Sequence, residues 1–289
     1  MASHTYPSDS PWFAPAKLNL FLHITGRRAD GYHELQTVFQ LLDHGDRLYF
    51  TPRGDGVIRR TAGPAAIAET EDIVIQAATA LKTASGCGLG ADIRVEKIIP
   101  VGGGLGGGSS DAATTLIALN RLWNLGFAPD ELASIGLKLG ADVPVFVRGH
   151  SAWAEGVGEK LRPITLPEVW YLVVTPAVHV STKEIFSAPE LKRDSPRITP
   201  EDFLAGAGRN DCEAVTCARY PEVKRALDWL RRLDTGGPAR MSGTGASVFA
   251  SFAGREQAEA AKSRLPQEWR AFVARGLNRS PLAGIIRAA

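Results

Sequence analysis

Between Pro100 and Asp111 the chain reads Pro-Val-Gly-Gly-Gly-Leu-Gly-Gly-Gly-Ser-Ser-Asp, with six glycines in seven positions. Every glycine ordered on folding costs backbone entropy, so a run this dense is not expected to serve packing. It suits a loop whose amides approach a ligand with no side chains in the way. Before it, Ala91–Ile99 alternates like a strand; after it, Ala112, Leu116, Leu119 and Trp123 recur at helical spacing. Ser109 or Ser110 is the expected N-cap of that helix. The order strand, glycine loop, helix sets free N–H groups and the positive end of a helix dipole against one point, which favours an anion. The two serine hydroxyls add donors for a phosphate oxygen or oxygen ligands for a magnesium ion. A phosphate-bearing ligand is therefore expected, and a merely flexible turn fits this context poorly.

Two common phosphate loops do not account for the run. Gly102-x-Gly104-x-x-Gly107 has the form of the dinucleotide fingerprint, which expects an acid about twenty positions on, at the end of the next strand. Asn120-Arg121-Leu122-Trp123-Asn124 stands there, reads as helix and carries no acid. A P-loop requires lysine followed by serine or threonine directly after its glycines. No lysine follows them here. A nicotinamide oxidoreductase and a P-loop enzyme both fit badly.

Around the loop the chain mixes both periodicities. Ala16–Ile24 alternates, with Leu18, Leu20, Leu22 and Ile24 on one face and Lys17, Asn19, Phe21 and His23 on the other. Further strands are expected at 35–42, 46–51, 57–61, 145–148, 171–175, 247–252 and 271–274. Helices are expected from the Asp72 cap to about 84, over 129–139, around 182, over 221–233 and over 255–265. Ser242-Gly243-Thr244-Gly245-Ala246-Ser247 forms a second glycine loop. Runs of antiparallel-looking strands broken by helices indicate an α+β fold rather than regular βαβ alternation. The polar, Pro/Ser-rich segment 1–13 reads as a flexible N-terminal extension, with one domain over 14–160 and a second over 161–289.

The net charge of +2 argues against a nucleic-acid or membrane-surface partner. Short pairs such as Lys192-Arg193 and Arg231-Arg232 read as solvated positions. Cys87, Cys212 and Cys217 show neither disulfide nor metal spacing, and no apolar run reaches membrane-spanning length. The expectation is a cytoplasmic protein, a monomer or weak homodimer, that acts on a small anionic molecule.

Several motifs in order carry a resemblance to the GHMP kinases. Pro15-Ala16-Lys17-Leu18-Asn19-Leu20 resembles the first motif of that family, Pro100–Ser110 the second and Ser242–Ser247 the third. Ala16–Leu22, Arg28-Ala29-Asp30-Gly31-Tyr32-His33-Glu34-Leu35 and Gly140-Ala141-Asp142-Val143-Pro144 narrow the likeness to one branch. That branch phosphorylates the 2-hydroxyl of a cytidine-diphosphate-linked methylerythritol in non-mevalonate isoprenoid precursor synthesis. The likeness runs from about Ala14 to Phe252. It implies a two-domain α+β fold with the active site in the interdomain cleft, ATP as co-substrate and Mg2+.

The resemblance also implies roles for particular residues. Asp142 corresponds to the catalytic base and Lys17 to its partner. Asn19, Tyr32, His33, Thr182 and Phe186 correspond to substrate contacts, with Tyr32 and Phe186 flanking the pyrimidine and His33 reading its polar edge. Lys97, Pro100, Val101, Gly102, Gly103, Gly104, Leu105, Gly106, Gly107, Gly108, Ser109 and Ser110 correspond to the ATP site, joined by Gly243, Thr244 and Gly245. Ser110 is the candidate protein ligand of magnesium. Without the resemblance Asp142 would read as a backbone cap and Phe186 as helix core. A non-catalytic binding module on the same fold is disfavoured by the presence of both Lys17 and Asp142.

Overall fold

The computed structural model describes residues 10–65 and 67–286. Its strands are β1 (Trp12–Arg27), β2 (His33–Arg53), β3 (Ile58–Ala62), β4 (Gly90–Glu96), β5 (Ala152–Gly156), β6 (Lys160–Pro163), β7 (Trp170–Thr175), β8 (Arg240–Met241), β9 (Val248–Phe252) and β10 (Arg270–Leu277). The helices are α1 (Ile73–Ser85), α2 (Gly107–Leu122), α3 (Pro129–Leu137), α4 (Val143–Arg148), α5 (Thr182–Ser187), α6 (Pro200–Leu204), α7 (Glu213–Arg219), α8 (Pro221–Arg231), α9 (Arg255–Lys262) and α10 (Ala283–Ile286).

The expected N-terminal extension lies outside the described residues as far as Asp9, and its last part is ordered. Trp12 opens β1, buried opposite Leu48, with its ring edge-on to Phe50 at 6.3 Å. Burial of an indole outweighs a Pro/Ser-rich surrounding. Both faces of β1 are covered, so its pattern is not a plain alternation. Register shifts between Pro15 and Lys17 and between Asn19 and Leu22 rotate the strand. Lys17 and Asn19 consequently turn into a cleft, whereas Phe21 packs on Trp153 and Phe203.

The strands expected at 35–42 and 46–51 are one strand, β2, of 21 residues. It pairs antiparallel with β1, β4, β5 and β10 along different stretches. Gly45 makes this possible, because a Cβ there would stand 2.2 Å from the Ala14 carbonyl oxygen. The sheet runs β3-β4-β2-β10-β7-β9-β8, with β1 on β2 and the β5–β6 hairpin on the lower part of β2.

Two apolar clusters flank this sheet. In the first, α1, α2, α3 and α4 cover β2 and β4, with Leu81, Ile93, Leu116 and Val143 among its fully buried members. In the second, α8 and α9 pack on β7 and β9 and α7 packs against α8, with Leu172, Leu227 and Val248 fully buried. Truncating such a side chain to alanine costs about 2–5 kcal/mol. The segment expected as a strand at 145–148 is helix α4. Its valines favour strands, but Pro144 fits a first helical turn and Gly149, at φ 65°, closes the last. Burial of Val143, Val145, Phe146 and Val147 against α2 and α3 then outweighs propensity.

Candidate active site

A cleft of about 580 Å³ opens between the two clusters, and most of the residues singled out in the sequence line it. Lys17 and Asn19 enter from β1, the glycine loop from the start of α2, Asp142 from the turn before α4, Thr182 and Phe186 from α5, and Gly243 and Thr244 from the second glycine loop.

Asp142 occupies the N-cap position of α4, yet its side chain makes no capping hydrogen bond. Its carboxylate instead faces Lys17, Oδ2 standing 3.2 Å from Nζ, with 31% of the side chain exposed. Lys17 is buried. Its ammonium also donates to Asn19 Oδ1 at 2.5 Å and to the Gly104 carbonyl at 3.2 Å, and lies 5.3 Å from the Phe39 ring centre. Asn19 is itself fixed, since its Nδ2 donates to Thr37 Oγ1 at 3.0 Å and its backbone N–H to Ser242 Oγ at 3.1 Å. A buried lysine thus orients one partly exposed carboxylate toward open space.

The glycine run does more than clear room for a ligand. Its carbonyls are bonded to the second glycine loop: Ser247 N–H donates to Gly103 O at 3.1 Å, and Ser242 Oγ to Gly104 O at 2.8 Å. Gly104, at φ 73°, sits where a Cβ would come within 2.3 Å of the Ser242 carbonyl oxygen. These glycines therefore do serve packing, contrary to the sequence reading, because two loops from opposite halves of the molecule interlock through them. Gly108 differs: it is exposed, and a Cβ would find nothing closer than 3.8 Å. Helix α2 begins at Gly107 with Gly106 as N-cap, earlier than either serine, and its first turn closes with Ser110 N–H to Gly106 O at 2.8 Å. The amides of Gly107, Gly108 and Ser109 precede that bond at the cleft, an arrangement that favours an anion.

Beneath the loop lies a charge network that the sequence did not reveal. Lys97 Nζ is paired with Asp46 and, at 2.7 Å, with Asp111, both buried. Burial opposes the Lys97 charge, but Asp111 and Asp46 outweigh it and hold the ammonium above its usual range. Burial pushes the Asp111 carboxyl up, against the pull of Lys97 and with added repulsion from Asp46. Asp46 Oδ1 further accepts the N–H groups of Ile98 and Ile99, which anchors the entry to the loop. Lys97 lines the cleft as expected, though its ammonium is engaged by two carboxylates.

Ser110 is fully buried and does not line the cleft, and its Oγ has no hydrogen-bond partner among the described residues. Among the described residues no group of three His, Cys, Asp or Glu side chains could hold a metal ion. An orphaned buried hydroxyl has a lone pair to offer a cation, which would take its other ligands from phosphates and water.

Tyr32 and His33 are not among the residues that line the cleft; His33 adjoins it by stacking on Phe186, their centroids 5.2 Å apart and planes at 29°. Tyr32 is 64% exposed and its ring meets no other aromatic ring among the described residues. Its backbone N–H is held by Asp30 Oδ1 at 3.1 Å. Thr182 Oγ1 lies 3.1 Å from Thr244 Oγ1, tying the start of α5 to the second glycine loop. Asn210, likewise missed, donates to the Met241 and Gly243 carbonyls, both at 2.8 Å, and supports that loop from behind.

The chain is similar in sequence and fold to known proteins. Residues 72–150 match the GHMP kinases N terminal domain, and residues 191–271 match the GHMP kinases C terminal domain. A 4-diphosphocytidyl-2-C-methyl-D-erythritol kinase of Halorhodospira halophila is 56% identical over 276 residues, covering 94% of this chain and 95% of the relative. The corresponding kinase of Aromatoleum aromaticum is 54% identical over 283 residues, 98% of each chain. A crystal structure of 4-(cytidine 5'-diphospho)-2C-methyl-D-erythritol kinase superposes with a TM-score of 0.80 at 35% identity, covering 92% of this chain and 99% of the other. A mevalonate kinase at 17% identity and TM-score 0.69 shares the fold over 94% of this chain and 100% of its own. This chain belongs to the GHMP kinases, in the family of the 4-diphosphocytidyl-2-C-methyl-D-erythritol kinases.

Proposed function

We propose that this chain transfers the γ-phosphoryl group of ATP to the 2-hydroxyl of 4-diphosphocytidyl-2-C-methyl-D-erythritol. The observation that carries the reading is the Lys17–Asp142 pair at 3.2 Å, open to the same cleft as the amides of α2. In-line phosphoryl transfer needs an oriented hydroxyl, a place for its proton and positive charge against the moving phosphoryl group. Asp142 accepts the hydroxyl proton on its exposed carboxylate. Lys17 keeps that carboxylate aimed, and its charge faces the phosphoryl group. The first amides of α2 and the interlocked glycine loops hold the ATP phosphates. The apolar flank formed by Pro64, Ile67, Ile73 and Val95 suits the adenine ring.

Mg2+, when bound with ATP, neutralises charge on the phosphates. Ser110 would supply its protein oxygen, and Ser110→Ala should weaken magnesium-dependent nucleotide binding more than binding of nucleotide alone. At the far end Tyr32 and Phe186 flank the cytosine, His33 meets its edge, and Asn19 and Thr182 reach the sugar-alcohol portion. The division into 14–160 and 161–289, cytoplasmic location and a monomeric or weakly dimeric state belong to the same reading. No described helix is long and apolar enough to cross a membrane. An ATP-consumption assay comparing the cytidine substrate with mevalonate, homoserine and galactose tests the function. Turnover with the cytidine substrate alone is expected, and equal or better turnover with any other alcohol would overturn it.

A further inference from the structure

Lys192-Arg193 reads from the sequence as a solvated pair, but Arg193 is half-buried and uses all three of its nitrogens. Nη1 donates to the Leu191 carbonyl at 2.8 Å, and Nη2 to the carbonyls of Phe186 at 3.0 Å and Ala188 at 2.8 Å. Nε donates to His33 Nε2 at 3.0 Å. A guanidinium has only donors. The nitrogen it meets must therefore present a lone pair, and the proton of the neutral imidazole must sit on Nδ1. Burial, with the nearby charges of Arg193 and Arg27, holds the His33 pKa below its usual range, in keeping with a neutral ring. Nδ1 has no partner among the described residues, and the ring plane is set by stacking on Phe186.

We propose that Arg193 determines base specificity by positioning: it fixes His33 as an Nδ1–H donor that accepts a pyrimidine edge bearing a lone pair and rejects one bearing a proton. Cytosine offers a lone pair at N3, whereas uracil carries hydrogen there. With the other tautomer, Nδ1 would be an acceptor and the preference would invert. The same guanidinium grips the carbonyls of Phe186 and Ala188, so one residue places both the stacking ring and the reading ring. The inference rests on the reading of this end of the cleft as the cytosine site.

The test combines imidazole nitrogen chemical shifts of the isotope-labelled whole protein with kcat/KM for the cytidine substrate and its uridine analogue. In the wild type the His33 proton is expected on Nδ1; a proton on Nε2 overturns the proposal without any variant. Arg193→Met should shift the ring toward the Nε2–H form. It should also cut the cytidine-over-uridine preference roughly tenfold or more, because a site built for one donor penalises a mismatched edge. Loss should fall mainly on KM. Arg193→Lys keeps a donor toward Nε2 and should retain the tautomer and much of the preference. An unchanged tautomer, or a changed tautomer with unchanged preference, overturns the proposal. His33→Ala separates the two ideas. If it narrows the preference while Arg193→Met does not, the base-edge reading stands and the Arg193 proposal falls. If neither variant alters the preference, the base-edge reading itself is wrong.

Discussion

The two ends of the cleft are built from different materials. The phosphate end is mostly backbone: amides of α2, carbonyls of Gly103 and Gly104, and loops so closely interlocked that a Cβ at Gly104 would collide at 2.3 Å. The end proposed for the base is mostly side chain: a His33–Phe186 stack steadied by Arg193, with Tyr32, the residue before His33, 64% exposed. Backbone geometry serves any nucleoside triphosphate, since phosphates are alike. Side-chain geometry at the other end can differ between relatives without disturbing the loops, which is how one fold serves several alcohols. Between the two lies the Lys17–Asp142 pair, to which the proposed function assigns the chemistry.

If that division holds, the largest effect comes from the midpoint. Asp142→Asn keeps the shape and removes the charge that takes the hydroxyl proton. Turnover should fall about 10²-fold or more, with ATP affinity little changed because Asp142 is not part of the loops. Single-turnover measurement beside nucleotide titration checks both. Near-normal turnover would remove Asp142 from the reaction.

The next effect separates two glycines at the phosphate end. Gly104→Val combines a backbone near φ 73° with a collision against the Ser242 carbonyl, so it should destabilise the protein before any ligand is added. Gly108→Val has room in the fold but places its methyls at the anion site. Hydrogen bonds to charged groups are worth about 1.5–3 kcal/mol, so ATP binding should weaken roughly 10- to 150-fold. Thermal melting and calorimetry on the pair decide. A Gly108→Val protein with normal ATP affinity would move the phosphates elsewhere.

At the base end the expected loss is smaller and uneven. Stacking a base on an aromatic ring contributes roughly 1–3 kcal/mol, so Phe186→Leu should weaken substrate binding about 5- to 150-fold. ATP affinity should be unaffected. Tyr32→Leu should cost less, because its exposed ring must first be ordered by the substrate. Equal losses would show that Tyr32 is already held in place, and no loss in either would place the cytosine elsewhere.

The motifs were legible in the sequence because they are local: a glycine run between a strand and a helix, a Lys-x-Asn on a strand, an aspartate in a Gly-Ala-Asp-Val-Pro turn. The helix caps at Asp72 and Gly86 follow equally local rules. What stayed hidden depends on long-range contact. Asp46 and Asp111 close on Lys97 from positions 51 and 14 residues away, and Arg193 meets His33 across 160. No periodicity encodes such pairs. Helix α4 was hidden for another reason, since its valines carry a strand preference that only packing on α2 and α3 overrides. The packing role of Gly104 was equally unreadable, because its neighbour is a loop 138 residues on.

The smallest expected effect concerns protons, and it sharpens the contrast between the ends. His33 belongs to the base end, and burial, followed by Arg193 and Arg27, lowers its pKa from the usual 6.5. The folded protein therefore binds this proton less readily than the unfolded chain does. Its contribution to stability is fully present above pH 6.5 and is lost as pH falls through the lowered folded value. Protonation would set an Nε2–H against the Arg193 Nε–H, drive the two cations apart and dislodge the reading ring. The cytidine-over-uridine preference should accordingly stay level from pH 8 through 6.5 and decline only in more acid solution. ATP affinity should not follow the His33 curve, since His33 bonds to Arg193 and stacks on Phe186 rather than on the glycine loops. Measuring kcat/KM for both substrates across this range, with nucleotide binding in parallel, gives the answer. A preference lost with a midpoint at 6.5 or above would mean an imidazole in ordinary water, unsupported by Arg193. The two ends of the cleft would then be equally open to solvent.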